Sequence, residues 1–166
     1  MIDIRPATAD DADAIAAIYG HHVLHGTASF DEIPPPAAFW KEKIEAVLGR
    51  GWPFLVATAG GQVVGYAYAT QFRDRPAYAF TCENSIYIQP DHVGQGIGKT
   101  LLGKLIAAAR GKRFRQMIAV VGGAEPASVA LHRSLGFVEA GRMKSVGFKF
   151  GRWLDTLYMQ LGLADS

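Results

Sequence analysis

Apolar positions follow two rhythms along the chain. Ile2 to Arg5 alternates and reads as a short edge strand. From Thr8 or Asp10, either of which can cap a helix with acids crowding its first turn, Ile15, Ile18, Tyr19 and Val23 fall at helical spacing. Three successive prolines end the loop "HGTASFDEIPPP", and "AAFWKEKIEAVLGRG" reads as a second helix closed by Gly49 or Gly51. The middle is strand-rich. "PFLVATAGGQVVGYAYATQF" is two strands around Gly60-Gly61, and "AYAFTCENSIYIQP" is a third long strand from Ala77 that Pro90 ends. A Gly-rich loop follows, then the amphipathic helix "KTLLGKLIAAARGK", the buried strand "RQMIAVVGG", the short helix "EPASVALHRSLGF" and the closing strands from Phe137. The order strand, two helices, three strands, helix, strand, helix, strands predicts an α/β layered domain with a mixed, largely antiparallel sheet. The chain carries no repeat, low-complexity tract or linker, so one domain over residues 1–166 is expected.

Composition narrows the function classes. With 49% hydrophobic and 19% charged residues the chain reads as globular, and a formal charge of +2 is too mild to argue for nucleic acid. Cys82 is the only cysteine, which excludes an intrachain disulfide and suggests a reducing compartment. The start "MIDIRPATADD" lacks the order of a signal peptide, and no apolar run reaches the ~18 residues of a membrane span. A soluble cytoplasmic protein is expected.

The loop "DHVGQGIGKT", residues 91–100, carries the first chemical signal. Gly98-Lys99-Thr100 looks like the end of a P-loop, but the glycine required five positions before Gly98 is Val93, and no strand elsewhere ends in an aspartate suited to magnesium. The dinucleotide fingerprint fails as well, because its third glycine would fall on Lys99 or Leu101. A strand running into a Gly-rich turn that opens a helix still suits an anion, since free N–H groups at the helix start point towards it. A plain tight turn capping a helix is the alternative on the glycines alone.

Residues 86–138, from "IYIQPDHVGQGIGKT" to "LHRSLGFV", resemble the GNAT superfamily of N-acetyltransferases, which carry R/Q-x-x-G-x-G/A after a central strand and a later helix ending in "LGF", here Leu135-Gly136-Phe137. "FTCENSIYI", "ALHRSLGF" and "VGFKFGRWLD" resemble the phosphinothricin acetyltransferase branch, so the likeness extends over nearly the whole chain. Four positions depart from the pattern: Val93 for Arg or Gln, Glu125 for Asn, Ala79 for Arg and Cys82 for Val.

The resemblance implies the GNAT acyl-CoA N-acyltransferase fold and acetyl transfer from acetyl-CoA to an amine. It implies that Gly94, Gln95, Gly96, Ile97, Gly98 and Lys99 hold the pyrophosphate, and that Ile86, Tyr87 and Ile88 pair their backbone with the pantetheine arm, Ile88 N–H serving as oxyanion donor. Glu125 and Ser128 are further candidates for the cofactor. Glu83 is the candidate general base, because a carboxylate in an apolar strand gains an elevated pKa on burial; an ordinary edge-facing glutamate is the alternative. His132 stands where GNAT enzymes place the group that protonates the leaving thiolate, with a core histidine as alternative. Arg73 and Arg75, with Asp74 between them, suit recognition of a carboxylate or phosphinate, and Phe30, Glu32, Asn84 and Ser85, with Tyr19, are expected around the acceptor. His21, His22 and His25 lack the acid and the third ligand of a metal site, and Cys82 reads as structural. The expected acceptor is a small amino-acid analogue, such as phosphinothricin, methionine sulfoximine or methionine sulfone. The expected assembly is a homodimer. Transfer to another small amine or a protein N-terminus, and a catalytically weak acyl-CoA-binding domain, are the rival readings.

Overall fold

The computed structural model describes residues 1–164. Its strands are β1 (Ile2–Pro6), β2 (Phe54–Ala59), β3 (Gln62–Gln71), β4 (Thr81–Ile88), β5 (Gln116–Gly122), β6 (Val138–Lys149) and β7 (Arg152–Gly162). Its helices are α1 (Ala12–His25), α2 (Ala37–Gly49), α3 (Ile97–Gly111) and α4 (Pro126–Ser134). The strands form one sheet in the order β1-β2-β3-β4-β5-β7-β6, and β4 with β5 is its parallel pair. The predicted order of elements and the mixed, mostly antiparallel sheet are both observed. The largest strand-boundary difference is in β4. β4 begins at Thr81 rather than Ala77, because Pro76 opens a 3-10 turn closed by Tyr78 N–H to Arg75 O and Ala79 N–H to Pro76 O, at 2.9 and 3.0 Å.

Two apolar layers cover the two faces of the sheet. α3 places Ile97, Leu101, Leu102, Leu105, Ile106 and Ala109 along one stripe, against Ala67, Ala69, Cys82, Met117 and Met159. On the other face Ile15 and Ile18 of α1 and Trp40, Ile44 and Val47 of α2 pack on Phe54, Val56 and Tyr66.

The sheet opens in its middle. β3 pairs with β4 along its whole length, from Gln71↔Cys82 to Gly65↔Ile88. β5 pairs with β4 only from Thr81↔Gln116 to Asn84↔Ala119. Beyond Asn84 the two parallel strands part. Phe72 N–H donates to Thr81 O and Gln89 N–H to Val64 O. Antiparallel alternation therefore turns the odd residues of β4 towards β3, and the backbone of Ile86 and Ile88 towards the opening.

At the far edge, β6 loses register with β7 between Met143 and Gly147. Asp155 holds this bulge, accepting Ser145 N–H and Arg142 Nε–H at 2.9 Å each. The β6–β7 hairpin then closes on Phe150-Gly151, both left-handed at φ 53° and 71°.

Candidate active site

A cavity of about 300 Å³ lies at the parting of β4 and β5. Glu83, Ser85 and Tyr87 reach it from the α1/α2 face, and Asn84 and Ile86, one residue out of step, from the α3/α4 face. Tyr19, Phe30 and Asp31 close one end, and Ser128 and His132 of α4 the other. The strand geometry thus brings Glu83 and His132, about fifty residues apart in sequence, to one opening from opposite sides of the sheet.

Glu83 keeps 31% of its side chain exposed, and Arg73 Nη1 stands 3.9 Å from its Oε1. Burial pushes its carboxyl above the ordinary range, opposed by the charges of Arg73 and Lys43.

His132 is 2% exposed. Its Nδ1 lies 2.7 Å from the Ser128 carbonyl, an acceptor, so Nδ1 carries the hydrogen and Nε2 a lone pair. Nε2 lies 3.2 Å from Asn84 Oδ1, while Asn84 Nδ2 has no partner. We assign that amide with its nitrogen towards the ring, so that Nδ2–H donates to Nε2 and both groups are satisfied. Burial lowers the pKa of the imidazole, partly offset by the Ser128 carbonyl, so the ring is neutral near pH 7.

The loop between β4 and α3 is built for an anion. Gly94 and Gly96 adopt φ 82° and 80°, a conformation that favours glycine. Gln95 and Lys99 are exposed beside them. The first bond into α3 is Thr100 N–H to Gly96 O, so the N–H groups of Ile97, Gly98 and Lys99 stay free of the helix ladder. The side chain of Ile97 is core. Gly98 also lets α4 approach, since a Cβ there would lie 3.4 Å from Leu131.

Several expected site residues fall elsewhere. Tyr87 turns its backbone towards Tyr66 in β3, so only Ile86 and Ile88 offer main-chain groups to the opening. Glu125 is the N-cap of α4: its carboxylate accepts Ala127 N–H and Ser128 N–H at 3.1 and 2.8 Å. Asp74 lines a separate cavity with Lys43 and Arg50. Arg75 and Glu32 are exposed and outside the lining of the opening, where Asp31 stands instead. His22 gains a role no motif signalled: its Nε2–H donates to Ile88 O at 2.8 Å and fixes the last peptide of the open edge. Asp31, tied to Tyr19 Oη, also escaped the sequence reading, because nothing local distinguishes it from its neighbour Glu32.

The free N–H groups of the loop and of Ile86 and Ile88 fit a ligand with a pyrophosphate at one end and an extended amide arm. Residues 17–137 match the acetyltransferase (GNAT) family. The chain belongs to this family. It is 54% identical to a phosphinothricin N-acetyltransferase from Alcaligenes faecalis, covering 95% of this chain and 80% of that one. It is 41% identical to an L-methionine sulfoximine/L-methionine sulfone acetyltransferase from Pseudomonas paraeruginosa, covering 96% and 94%. A GNAT superfamily phosphinothricin acetyltransferase from Sinorhizobium meliloti, solved in complex with acetyl-CoA, superposes with a TM-score of 0.96 at 49% identity, covering 98% and 89%. The chain is therefore an acetyl-CoA-dependent N-acetyltransferase of the GNAT fold. Among the described residues no helix is long and apolar enough to cross a membrane.

Proposed function

We propose that residues 1–166 act as one domain that acetylates the α-amino group of a small amino-acid analogue of the phosphinothricin, methionine sulfoximine or methionine sulfone kind. The observation that carries this reading is the parting of β4 from β5 with Glu83 on one side and His132 on the other. Bound acetyl-CoA supplies the activated acetyl thioester. Gly94 to Lys99 hold its pyrophosphate through free N–H groups, and Ile86 and Ile88 pair with its arm as a neighbouring strand would. Ile88 N–H, on the residue whose carbonyl His22 holds, is the donor to the thioester carbonyl oxygen.

Glu83 takes the first proton from the acceptor's ammonium, and burial raises its pKa in the direction that makes it a stronger base. A neutral His132 cannot start as an acid. Its Nε2 lone pair instead receives the second proton that the nitrogen sheds on becoming an amide, and passes it to the departing sulfur. The 3.2 Å contact to Asn84 is long enough to give way to this exchange. Arg73, beside Glu83, pairs with the acceptor's acid group.

A thiol-release assay across amino-acid analogues, peptides and simple amines tests the acceptor class. Turnover concentrated on the amino-acid analogues is expected, and turnover confined to peptide N-termini refutes it. The same reading includes a homodimer in the cytoplasm. The outer edge of the sheet leaves Val138, Met143, Val146, Phe148, Phe150 and Trp153 between 43% and 67% exposed, an apolar face suited to a second copy. Sedimentation of Trp153→Glu against the unaltered chain checks this: dimer shifting to monomer is expected, and a monomer in both cases overturns it.

A further inference from the structure

Lys149 ends β6 with its side chain inside the protein, 3% exposed. Among the described residues its ammonium forms no salt bridge. It donates instead to two main-chain carbonyls of the loop after α1, Gly26 O at 2.9 Å and Ser29 O at 2.7 Å. A buried ammonium held by carbonyls is costly to place, and its hydrogen bonds are of the charge-assisted kind. Three glycines make room for the same loop. A Cβ on Gly122 would lie 2.6 Å from Ala28 O, one on Gly123 2.7 Å from Thr27 Oγ1, and one on Gly147 2.5 Å from the Phe30 ring. The loop is thus seated on the ends of β5 and β6 and tied down by one cation.

The tie continues into the cleft. Ser29 Oγ accepts Asp31 N–H at 3.1 Å and meets Tyr19 Oη at 2.7 Å, and Tyr19 Oη donates to the Asp31 carboxylate. The ring of Tyr19 packs edge-on against Tyr87 of β4, 5.1 Å between centroids. Phe30, Asp31 and Tyr19 are the wall of the cavity opposite His132. We propose that Lys149 is a positioning residue for acceptor recognition: by holding the Gly26 and Ser29 carbonyls it sets where Phe30 and the Asp31 carboxylate stand, and Asp31 receives the acceptor's ammonium beside Glu83. This rests on the reading of the cavity as the acceptor site. It gives Lys149 and Gly147, both in the stretch "VGFKFGRWLD", a part in acceptor recognition.

The experiment compares Lys149→Met, Lys149→Arg, Asp31→Asn and Gly147→Ala. It uses steady-state kinetics with the best acceptor of the unaltered chain and hydrogen exchange of the folded proteins. Lys149→Met keeps the stem and deletes the donors. It is expected to lower kcat/KM for the acceptor between about tenfold and a hundredfold, the scale of a misplaced binding group. KM for acetyl-CoA should stay within twofold to threefold, roughly the spread of ordinary context effects. Exchange should quicken at residues 26–31 and not in α3, and Lys149→Arg should recover part of the loss. Asp31→Asn should raise acceptor KM with the loop still protected.

Unchanged acceptor kinetics in a Lys149→Met protein whose loop exchanges faster overturns the proposal. So does an equal loss in acceptor and cofactor parameters, which marks general destabilisation. Should Lys149→Met not fold, Gly147→Ala, which displaces the Phe30 ring without a backbone conformation reserved for glycine, is expected to raise acceptor KM alone; no change overturns the proposal. Because kinetics use whichever amine is turned over, and exchange needs none, a wrong acceptor class is distinguishable from a wrong clamp.

Discussion

Replacing Arg73 by Gln should move the acid limb of the pH–rate profile to higher pH. The guanidinium favours the charged form of Glu83, whereas burial disfavours it. At 3.9 Å two unit charges interact by about 1 kcal/mol in a water-like dielectric and about 4 kcal/mol at an effective constant of 20. The two side chains are 51% and 31% exposed, which places the pair near the watery limit. About 1 kcal/mol is about 0.7 of a pKa unit. With the cation gone the Glu83 carboxyl climbs further, so the limb of kcat/KM for the acceptor, measured from pH 5 to 9 at low salt, should shift alkaline by up to that amount. Raising the ionic strength to about 0.5 M should shrink the difference between variant and parent, because an exposed pair is screened. The acceptor's own ammonium contributes a limb that both proteins share and that does not move. In Glu83→Gln the Glu83 limb should vanish and kcat should fall ~10²-fold or more. An unshifted limb in Arg73→Gln at low salt refutes the coupling, and an intact limb with near-parental kcat in Glu83→Gln refutes Glu83 as the base.

Gly96→Asp places an anion on a residue held at φ 80°, so thermal stabilisation by coenzyme A should be lost; stabilisation equal to the parent's would mean the loop holds no phosphate. His132→Ala should lower kcat while the dissociation constant for acetyl-CoA, read by calorimetry, stays within about threefold. Asp11 accepts two hydrogen bonds from Arg5 and one from Thr8 N–H; although burial alone would raise its pKa, these partners hold it below the ordinary value. A depressed carboxylate stabilises the fold above its unfolded pKa, and that contribution disappears as pH falls through the folded pKa. Asp11→Ala should therefore cost about 1–3 kcal/mol in denaturant melts at pH 7 and progressively less below about pH 4; an equal cost at pH 3 would contradict this.

Much of the fold was legible because its signals are local. The α3 stripe, the Gly60-Gly61 turn and the lone β4–α3 glycine loop each sit within one window of sequence. Glu83 stood out by the same logic, as a carboxylate in an apolar strand. What escaped depends on contacts between distant segments. Lys149 reads as a charge beside a hairpin turn until the loop after α1, more than a hundred residues earlier, is laid over it. The capping role of Glu125 at the start of α4 shows only once the Ala127 and Ser128 N–H groups are seen to point at its carboxylate. Glu32 and Asp31 are adjacent acids, and only the Ser29–Tyr19 network selects which one turns inward.

β4 is where these threads meet, and its two-residue period divides the labour. The odd positions Glu83, Ser85 and Tyr87 share a face with Tyr68 and Tyr66, under α1 and α2. The even positions Cys82, Ile86 and Ile88 pack under α3, and Asn84 reaches His132. Because the even residues also turn their backbone away from β3, one strand presents the Glu83 carboxylate to one face and open N–H groups at the seam between faces. The acceptor and donor can therefore enter from opposite sides and meet in the plane of the sheet, where no side chain has to cross. Such an arrangement tolerates substitutions at single positions but not a slip. Moving β4 by one residue against β3 would carry Glu83 under α3, into the layer of Leu101 and Leu105, and turn Cys82 and Asn84 towards α1 and α2. The partial pairing with β5 guards against this, since the four residues Thr81 to Asn84 are fixed on both sides and only the stretch beyond them is left free.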